Sequence, residues 1–322
     1  MNIVNAVIAY IQKHNLIPSG TSVLVGLSGG PDSVFLLHVL VMLRNQGLIT
    51  DFMAAHLDHQ WRKDSGNDAQ FCKDLCKKWK VPLLVSTLSE LGMSPKATGS
   101  KEELGRRARR QFFETVKRDH ELNRIALAHH AQDQQETFFI RLIRGASLTG
   151  LTAMRPQSGD YIRPLLELNK ADILTYLDKN NIPFVTDPSN TSEEYLRNRI
   201  RLKVIPALHA CDSRFDANFA QTLARLQETE DYLDLHTKLE FAKIMSESPA
   251  TISVSLLLAY PSLMRYRLLM QWMQLNNVRI PLSQSFLDEI LKFLSTQQGG
   301  IHNIHHEWRI EKKSGMATIS KS

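Results

Sequence analysis

The stretch VLVGLSGGPDSVFLLHVL (Val23–Leu40) changes rhythm in its middle. TSVLVGLS (21–28) is a short β-branched apolar run that reads as a buried strand. From 33 to 46 the apolar residues Val34, Leu37, Leu40, Val41 and Leu43 recur at helical spacing. Between them stand two glycines and a proline. A strand, a bare turn and a helix start form a cradle for phosphate, because glycines admit an anion to the backbone N–H groups and the helix start adds a positive dipole end. The loop lacks the length and the lysine of G-x-x-x-x-G-K-[ST], and it is not G-x-G-x-x-G. Ser28, Gly29, Gly30 and Ser33 offer hydroxyls and backbone donors sufficient for a pyrophosphate group. Asp32 repels phosphate unless a cation lies between them, and Mg²⁺ held by Asp32 is the simplest resolution. A plain Gly-rich turn capped by Ser33 and Asp32 is the alternative.

Working outward, strand and helix patterns alternate. Strands are expected at 51–57, 81–88 and 124–130, with a short one at 162–168 (IRPLLEL). Helices are expected at 66–79, 101–119, about 132–144 and 169–180. Alternation implies right-handed crossovers and an α/β fold with a doubly wound parallel sheet. In such sheets ligands lie beyond the carboxyl ends of the strands. That edge receives SGGPDS, His56–Asp58 and His129–His130. Beyond about 206 the pattern changes to a long polar helix at 215–245, further helix, and a tail at 299–320 that reads as a β-hairpin or meander turning at Ser314-Gly315. The expected division is a catalytic domain at 1–206 and, at 207–322, a linker helix with a smaller, mainly helical domain ending in the hairpin.

The chain has 322 residues, a length suited to two domains. Its 43% hydrophobic and 22% charged content is that of a soluble globular protein. No run of 18 apolar residues is present, so no membrane partner is expected. The first residues read as an amphipathic helix, not a signal peptide. Three cysteines, Cys72, Cys76 and Cys211, make an odd, sparse set that fits a reducing cytoplasm. The net charge of +6 is clustered in GRRARR (105–110) and RNRIRLK (197–203), which raises the prospect of a nucleic-acid partner.

Four more clusters carry chemistry. HLDHQWR (56–62) offers His56, Asp58, His59 and Arg62 at a strand end. EELGRRARRQFF (102–113) puts Arg106 and Arg109 on one helix face, suited to bidentate phosphate contact, with Phe112 and Phe113 turned to the core. In ALAHHAQDQQETFFIRLIRGASLTGLTAM (126–154), Asp133 and Glu136 share the first turn of a helix. They face one way, as a cation-holding pair would, although acids there also suit the dipole. DPSNTSEEYLRNRIR (187–201) supplies Asp187, Ser189, Asn190, Tyr195, Arg197, Asn198 and Arg201 from a loop and a basic helix.

S-G-G-x-D-S after a first strand resembles the PP-loop of the N-type ATP pyrophosphatases. With H-x-D-H, R-x-x-R-x-x-F-F, A-H-H-x-x-D-Q-x-E-T, R-L-x-R-G, R-P-L-L and D-x-S-N…Y-x-R-N-x-I-R in order over residues 20–206, the chain resembles the tRNA(Ile)-lysidine synthetase family in its short form. The resemblance implies adenylation of the wobble cytidine of the CAU-anticodon isoleucine tRNA by ATP, with release of pyrophosphate. Free L-lysine then displaces AMP to give lysidine. It implies ATP contacts from Leu27, Ser28, Gly29, Gly30, Pro31, Asp32, Ser33, His56 and Asp58, with Mg²⁺ on Asp32. Catalysis would fall to Asp32, Asp133, Glu136 and Arg106. Lysine and phosphate would be met by Asp133, Glu136, Arg109 and Arg197, with one of the acids accepting a proton. The tRNA backbone would be met by Arg107, Arg110, Arg199, Arg201 and the second domain. A homodimer is compatible with the resemblance. Family members commonly carry an acid at Gln132, a tyrosine at Arg110 and a glycine at Ala146 or Ser147.

The alternative is a tRNA thiolase of the same fold. Such enzymes typically need catalytic cysteines, and Cys72 and Cys76 are expected inside a helix, away from the strand ends.

Overall fold

The computed structural model describes residues 3–62, 64–94, 100–186, 193, 195–246, 248–278 and 283–321. The chain forms two compact units, Met1–Leu223 and Ala224–Ser322.

The first unit is built on six strands: β1 (Val23–Gly26), β2 (Phe52–Asp58), β3 (Leu83–Thr87), β4 (Arg124–Ala126), β5 (Gln157–Ser158) and β6 (Tyr161–Ile162). Their order is β3-β2-β1-β4-β6-β5, parallel except for the β5–β6 pair. The central strand β1 shows why the sheet is covered on both faces. Val23 and Val25 enter a core with α1 (Ile3–Lys13), α2 (Pro31–Asn45), α3 (Ser65–Lys78) and α7 (Lys170–Lys179), while Leu24 enters another with α4 (Lys101–Asp119). Period-two alternation of apolar residues on both faces is the doubly wound arrangement. Gly26 belongs to the second packing: a Cβ there would stand 3.0 Å from the Phe113 ring.

Helix α4 begins on Ser100, whose side chain accepts from the Glu103 amide, and runs from acidic Glu102 and Glu103 to basic Lys117 and Arg118. The polarity matches the helix dipole. Helix α5 (Ala131–Ile143) carries the acid pair and is followed by the short α6 (Leu148–Leu151). The segment at 162–168 is not a strand of that length. Pairing ends at Ile162 and, beyond Pro164, Leu165 and Leu166 are buried in a turn. Strand β4 likewise stops at Ala126, short of the expected His130, because β6 offers only two residues to pair with it. After residue 195 the chain runs through α8 (Leu196–Arg199), a π-helical turn at Ile200–Val204 and α9 (Ile205–Cys211). Helix α10 (Phe215–Ile244) crosses the boundary between the units.

The second unit holds α11 (Val254–Ala259), α12 (Ser262–Leu275), α13 (Gln284–Ser295) and the strands β7 (Thr251–Ser253), β8 (Gly300–His305), β9 (Trp308–Lys313) and β10 (Met316–Lys321). The antiparallel order is β7-β10-β9-β8, with Ser314 and Gly315 both at positive φ in the β9–β10 turn. The tail is therefore the meander read from its sequence, extended by β7, a three-residue strand too short for a pattern. Trp272 is fully buried at its core, and Arg267 donates to both oxygens of buried Glu230. Among the described residues no helix is long and apolar enough to cross a membrane.

Candidate active site

The glycine turn follows β1 directly, and Pro31 opens α2 with a φ already suited to a helix. Gly29 adopts φ +84, which a side chain would oppose. The loop is braced from within. Ser33 Oγ donates to the Gly30 carbonyl at 2.9 Å, accepts from the Ser28 amide at 3.1 Å and lies 3.1 Å from Ser28 Oγ. It is also held from outside, since the Val185 amide donates to the Gly29 carbonyl at 2.9 Å. A helix start leaves its first N–H groups without intrahelical acceptors, so the Asp32 and Ser33 amides face the loop mouth. This is an anion cradle of backbone and hydroxyl groups.

Asp32 stands at its edge. Its Oδ2 lies 3.0 Å from Lys170 Nζ and 3.6 Å from His130 Nε2. Its Oδ1 is buried with no protein partner among the described residues. An orphaned buried carboxylate oxygen beside an anion cradle suits a hard divalent cation, so Asp32 fits the expected Mg²⁺. His130 also lies 3.5 Å from Asp133 Oδ2, so one imidazole spans the carboxylates of the loop and of α5. The Asp133 side chain accepts from the His130 amide at 2.9 Å, closing the first turn of α5.

Asp133 and Glu136 share a face of α5, as their spacing predicts, but their surroundings differ. Arg197 joins them: its Nε donates to Glu136 Oε2 at 2.6 Å and its NH2 to Asp133 Oδ1 at 3.0 Å. Arg201 donates to Glu136 Oε1 at 2.5 Å and to Oε2 at 3.1 Å. Glu136 is 0% exposed. Both Glu136 oxygens are paired with guanidinium groups, so Glu136 holds the two arginines. Arg201, expected on tRNA, makes this pairing with a side chain 32% exposed. Burial works to raise the Asp133 carboxyl, but His130, His129 and Arg197 outweigh it and hold its pKa at about 2. Such a carboxylate is an anionic anchor and a poor base at neutral pH. His129 is held down to about 4, chiefly by burial, and is neutral at pH 7.

At the end of β2, His56 is buried, its Nδ1 2.9 Å from the Leu27 carbonyl. Cys72 Sγ lies 3.4 Å from the same nitrogen, and a Cβ on Gly29 would meet that sulfur at 3.4 Å. The expectation that Cys72 lies away from the strand ends is thus corrected: it packs directly under the loop. Burial pushes the Cys72 and Cys76 thiols up to about 12, which leaves them protonated and unreactive. Asp58 caps its own turn by accepting from the Gln60 amide at 2.7 Å. His59 stacks on Trp61 with centroids 4.4 Å apart, and burial, then Arg109, lowers its pKa to about 4.

Arg109 has solvent-accessible surface, yet enclosure by protein, followed by the facing Arg197 charge, lowers its pKa. Arg106 is exposed beside it on α4. Of the arginines expected on tRNA, Arg107 is exposed, Arg110 pairs with Glu114 at 2.8 Å, and Arg199 donates to the Glu193 carbonyl at 3.1 Å. Asp187, Ser189 and Asn190 lie outside the described residues. Sequence reasoning set His130 at the ligand-bearing edge and marked Gln132 without giving either a partner, and it missed Lys170. Lys170 left no local signal because its partner Asp32 is 138 positions away.

The loop, the orphaned acid and the parallel sheet together define a nucleotide-binding protein of the PP-loop class. Residues 4–208 match the model of the PP-loop domain, and the chain belongs to that family. It is similar to the tRNA(Ile)-lysidine synthase of Bacillus subtilis (strain 168), 35% identical over 78% of this chain and 55% of the relative. With that of Clostridium perfringens (strain 13 / Type A) the identity is 40% over 68% of this chain and 46% of the relative. With that of Persephonella marina it is 29% over 90% and 63%. The chain thus spans about half the length of the curated relatives it matches. Among solved structures, the U34-tRNA thiolase NcsA from Methanococcus maripaludis shares the fold, with a TM-score of 0.59 and 16% identity over 70% of this chain and 78% of that one.

Proposed function

We propose that this chain forms lysidine: it adenylates the wobble cytidine of the CAU-anticodon isoleucine tRNA with ATP and then joins free L-lysine to it. The observation that carries the reading is His130, placed between Asp32 and Asp133, which sets the nucleotide cradle beside an anionic anchor for an ammonium group.

In the first step the cytidine 2-carbonyl oxygen attacks the α-phosphorus of ATP, and the bond to the β-phosphate oxygen breaks. Ser28, Ser33 and the loop amides hold the departing pyrophosphate. Asp32 would hold Mg²⁺, which would supply charge neutralisation for that group. Leu27 and the buried His56 edge of β2 flank the adenine. In the second step the lysine ε-amine, having given a proton to water, attacks the activated carbon, sheds a second proton to water, and AMP leaves with the oxygen. Asp133 attracts the lysine ammonium and Glu136 holds Arg197 in place. Arg106 and Arg109, on one face of α4, meet phosphate or the lysine carboxylate. Arg107, Arg110, Arg199 and residues 207–322 face tRNA through its backbone, whose phosphates suit arginine. The cytoplasm supplies all three substrates, and a homodimer is compatible with this assignment.

The test is to incubate the protein with ATP, Mg²⁺, radiolabelled lysine and a CAU-anticodon isoleucine tRNA transcript. Label in a lysine–cytidine nucleoside, with release of AMP and pyrophosphate, is expected; Asp32→Asn should abolish it. Pyrophosphate release without label would retain the adenylation and overturn lysine as the nucleophile.

A further inference from the structure

Lys170 is a basic side chain directly on the loop carboxylate, and the lysidine chemistry above makes no use of it. We propose that Lys170 contacts the β- and γ-phosphates of the nucleotide, and that Gln132 positions it. The inference rests on the reading of the loop as an ATP cradle.

Three observations support it. First, Lys170 is the first residue of α7, where the helix dipole disfavours a cation. The starts of α2 and α7 therefore meet with an ammonium between them, and the near counter-charge is Asp32, 3.0 Å away. Two positive helix ends and a lysine beside the loop make a setting that suits the phosphates of a polyanion. Second, the position is built. The Gln132 side chain accepts from the Lys170 amide at 3.0 Å and its NH₂ donates to Asn169 Oδ1 at 3.2 Å. The Ala131 amide adds a bond to the Leu168 carbonyl at 2.9 Å. These bonds lock the start of α7 to the start of α5, and the Val185 bond to Gly29 ties the chain beyond α7 to the loop. Third, Lys170 keeps donors to spare. An ammonium has three, and its side chain is 37% exposed against 23% for Asp32. A triphosphate entering the cradle offers it a stronger partner than Asp32 does.

Gln132 acquires a role by the same argument. Its amide both donates and accepts across the two helix starts, which a carboxylate at this position cannot do. It acts through Lys170 and is a positioning residue.

The experiment is calorimetric binding of ATP and of AMP to the full chain without tRNA, for the wild type, Lys170→Met, Lys170→Arg and Gln132→Leu. Lys170→Met is expected to weaken ATP by about tenfold or more, the range of one charge-assisted hydrogen bond, and to leave AMP unchanged. Lys170→Arg should recover most of the loss. Gln132→Leu should weaken ATP by a smaller factor and spare AMP. Equal loss of ATP and AMP in Lys170→Met would assign a structural role and overturn the inference, as would unchanged ATP binding. A wild type that binds neither nucleotide would instead overturn the ATP reading itself.

Discussion

Arg197 Nε lies 2.6 Å from Oε2 of Glu136, a carboxylate with no exposed surface. Arg197 and Arg201 are four residues apart, so they descend from one helical face onto the same acid. Removing one partner of such a set leaves charges without compensation. Glu136→Ala should cost about 2–3 kcal/mol, below the fully buried case because both guanidinium groups keep some water contact. Urea unfolding measures it, and a loss within about 0.5 kcal/mol would show the clamp to be idle.

Asp133 predicts an acid limb. Its carboxyl has a pKa of about 2 in the folded chain against an ordinary 3.8. The unfolded chain binds the proton first as pH falls, so the stabilisation is whole above about pH 4 and lost on the way to about pH 2. The shift corresponds to roughly 2 kcal/mol. Asp133→Asn should flatten thermal stability between those limits, and an unchanged slope would contradict the assignment.

His129 acts in a separate window. Its folded pKa of about 4 lies below the ordinary 6.5, so the unfolded chain is again the better proton binder. Stability should decline from about pH 6.5 and the loss should be complete near pH 4. His129→Gln should remove this decline and also shrink the lower limb, because His129 is one of the charges that hold Asp133 down; melting curves across the two windows measure both effects.

Gly105 and Trp61 form a steric pair. A Cβ at Gly105 would stand 2.7 Å from Cη2 of Trp61 and 3.3 Å from the His59 ring. Alanine improves helix propensity by about 1 kcal/mol, but overpacking against a stacked indole costs about 1–3. Gly105→Ala should therefore destabilise the wild type by about 1 kcal/mol and stabilise a Trp61→Ala background by a similar amount. The same sign in both backgrounds would reject the pairing.

Cys72 and Cys76 are packing groups with thiols raised to about 12. Replacing both by alanine should leave lysidine formation within about threefold, at a stability cost of about 1–2 kcal/mol for the lost sulfur contacts. Loss of activity in a folded double variant would revive a sulfur-transfer reading.

Much of the first unit was legible because its signals are local. Ser100, two acids and two terminal basic residues mark α4, and its limits fall at Lys101 and Asp119 as read. The turn after β1 was equally plain, since a strand, two glycines and Pro31 leave the chain few alternatives. Short elements escaped: β5, β6 and β7 have two or three residues, fewer than one period of alternation can show. Extending β4 to His130 failed because strand length depends on the neighbour, and β6 is brief.

The sequence by itself determined the cradle and the facing of Asp133 and Glu136, because backbone geometry and 3.6-residue spacing act over a few residues. Only the tertiary structure decided which charges meet. Lys170 reaches Asp32 across 138 positions, and Arg201 reaches Glu136 across 65. Such pairs leave no periodic trace, since an ion pair depends on where two helices end in space. Burial then set what each acid does: Glu136 is sealed by two arginines, while Asp133, one turn away, stays at the edge of the site.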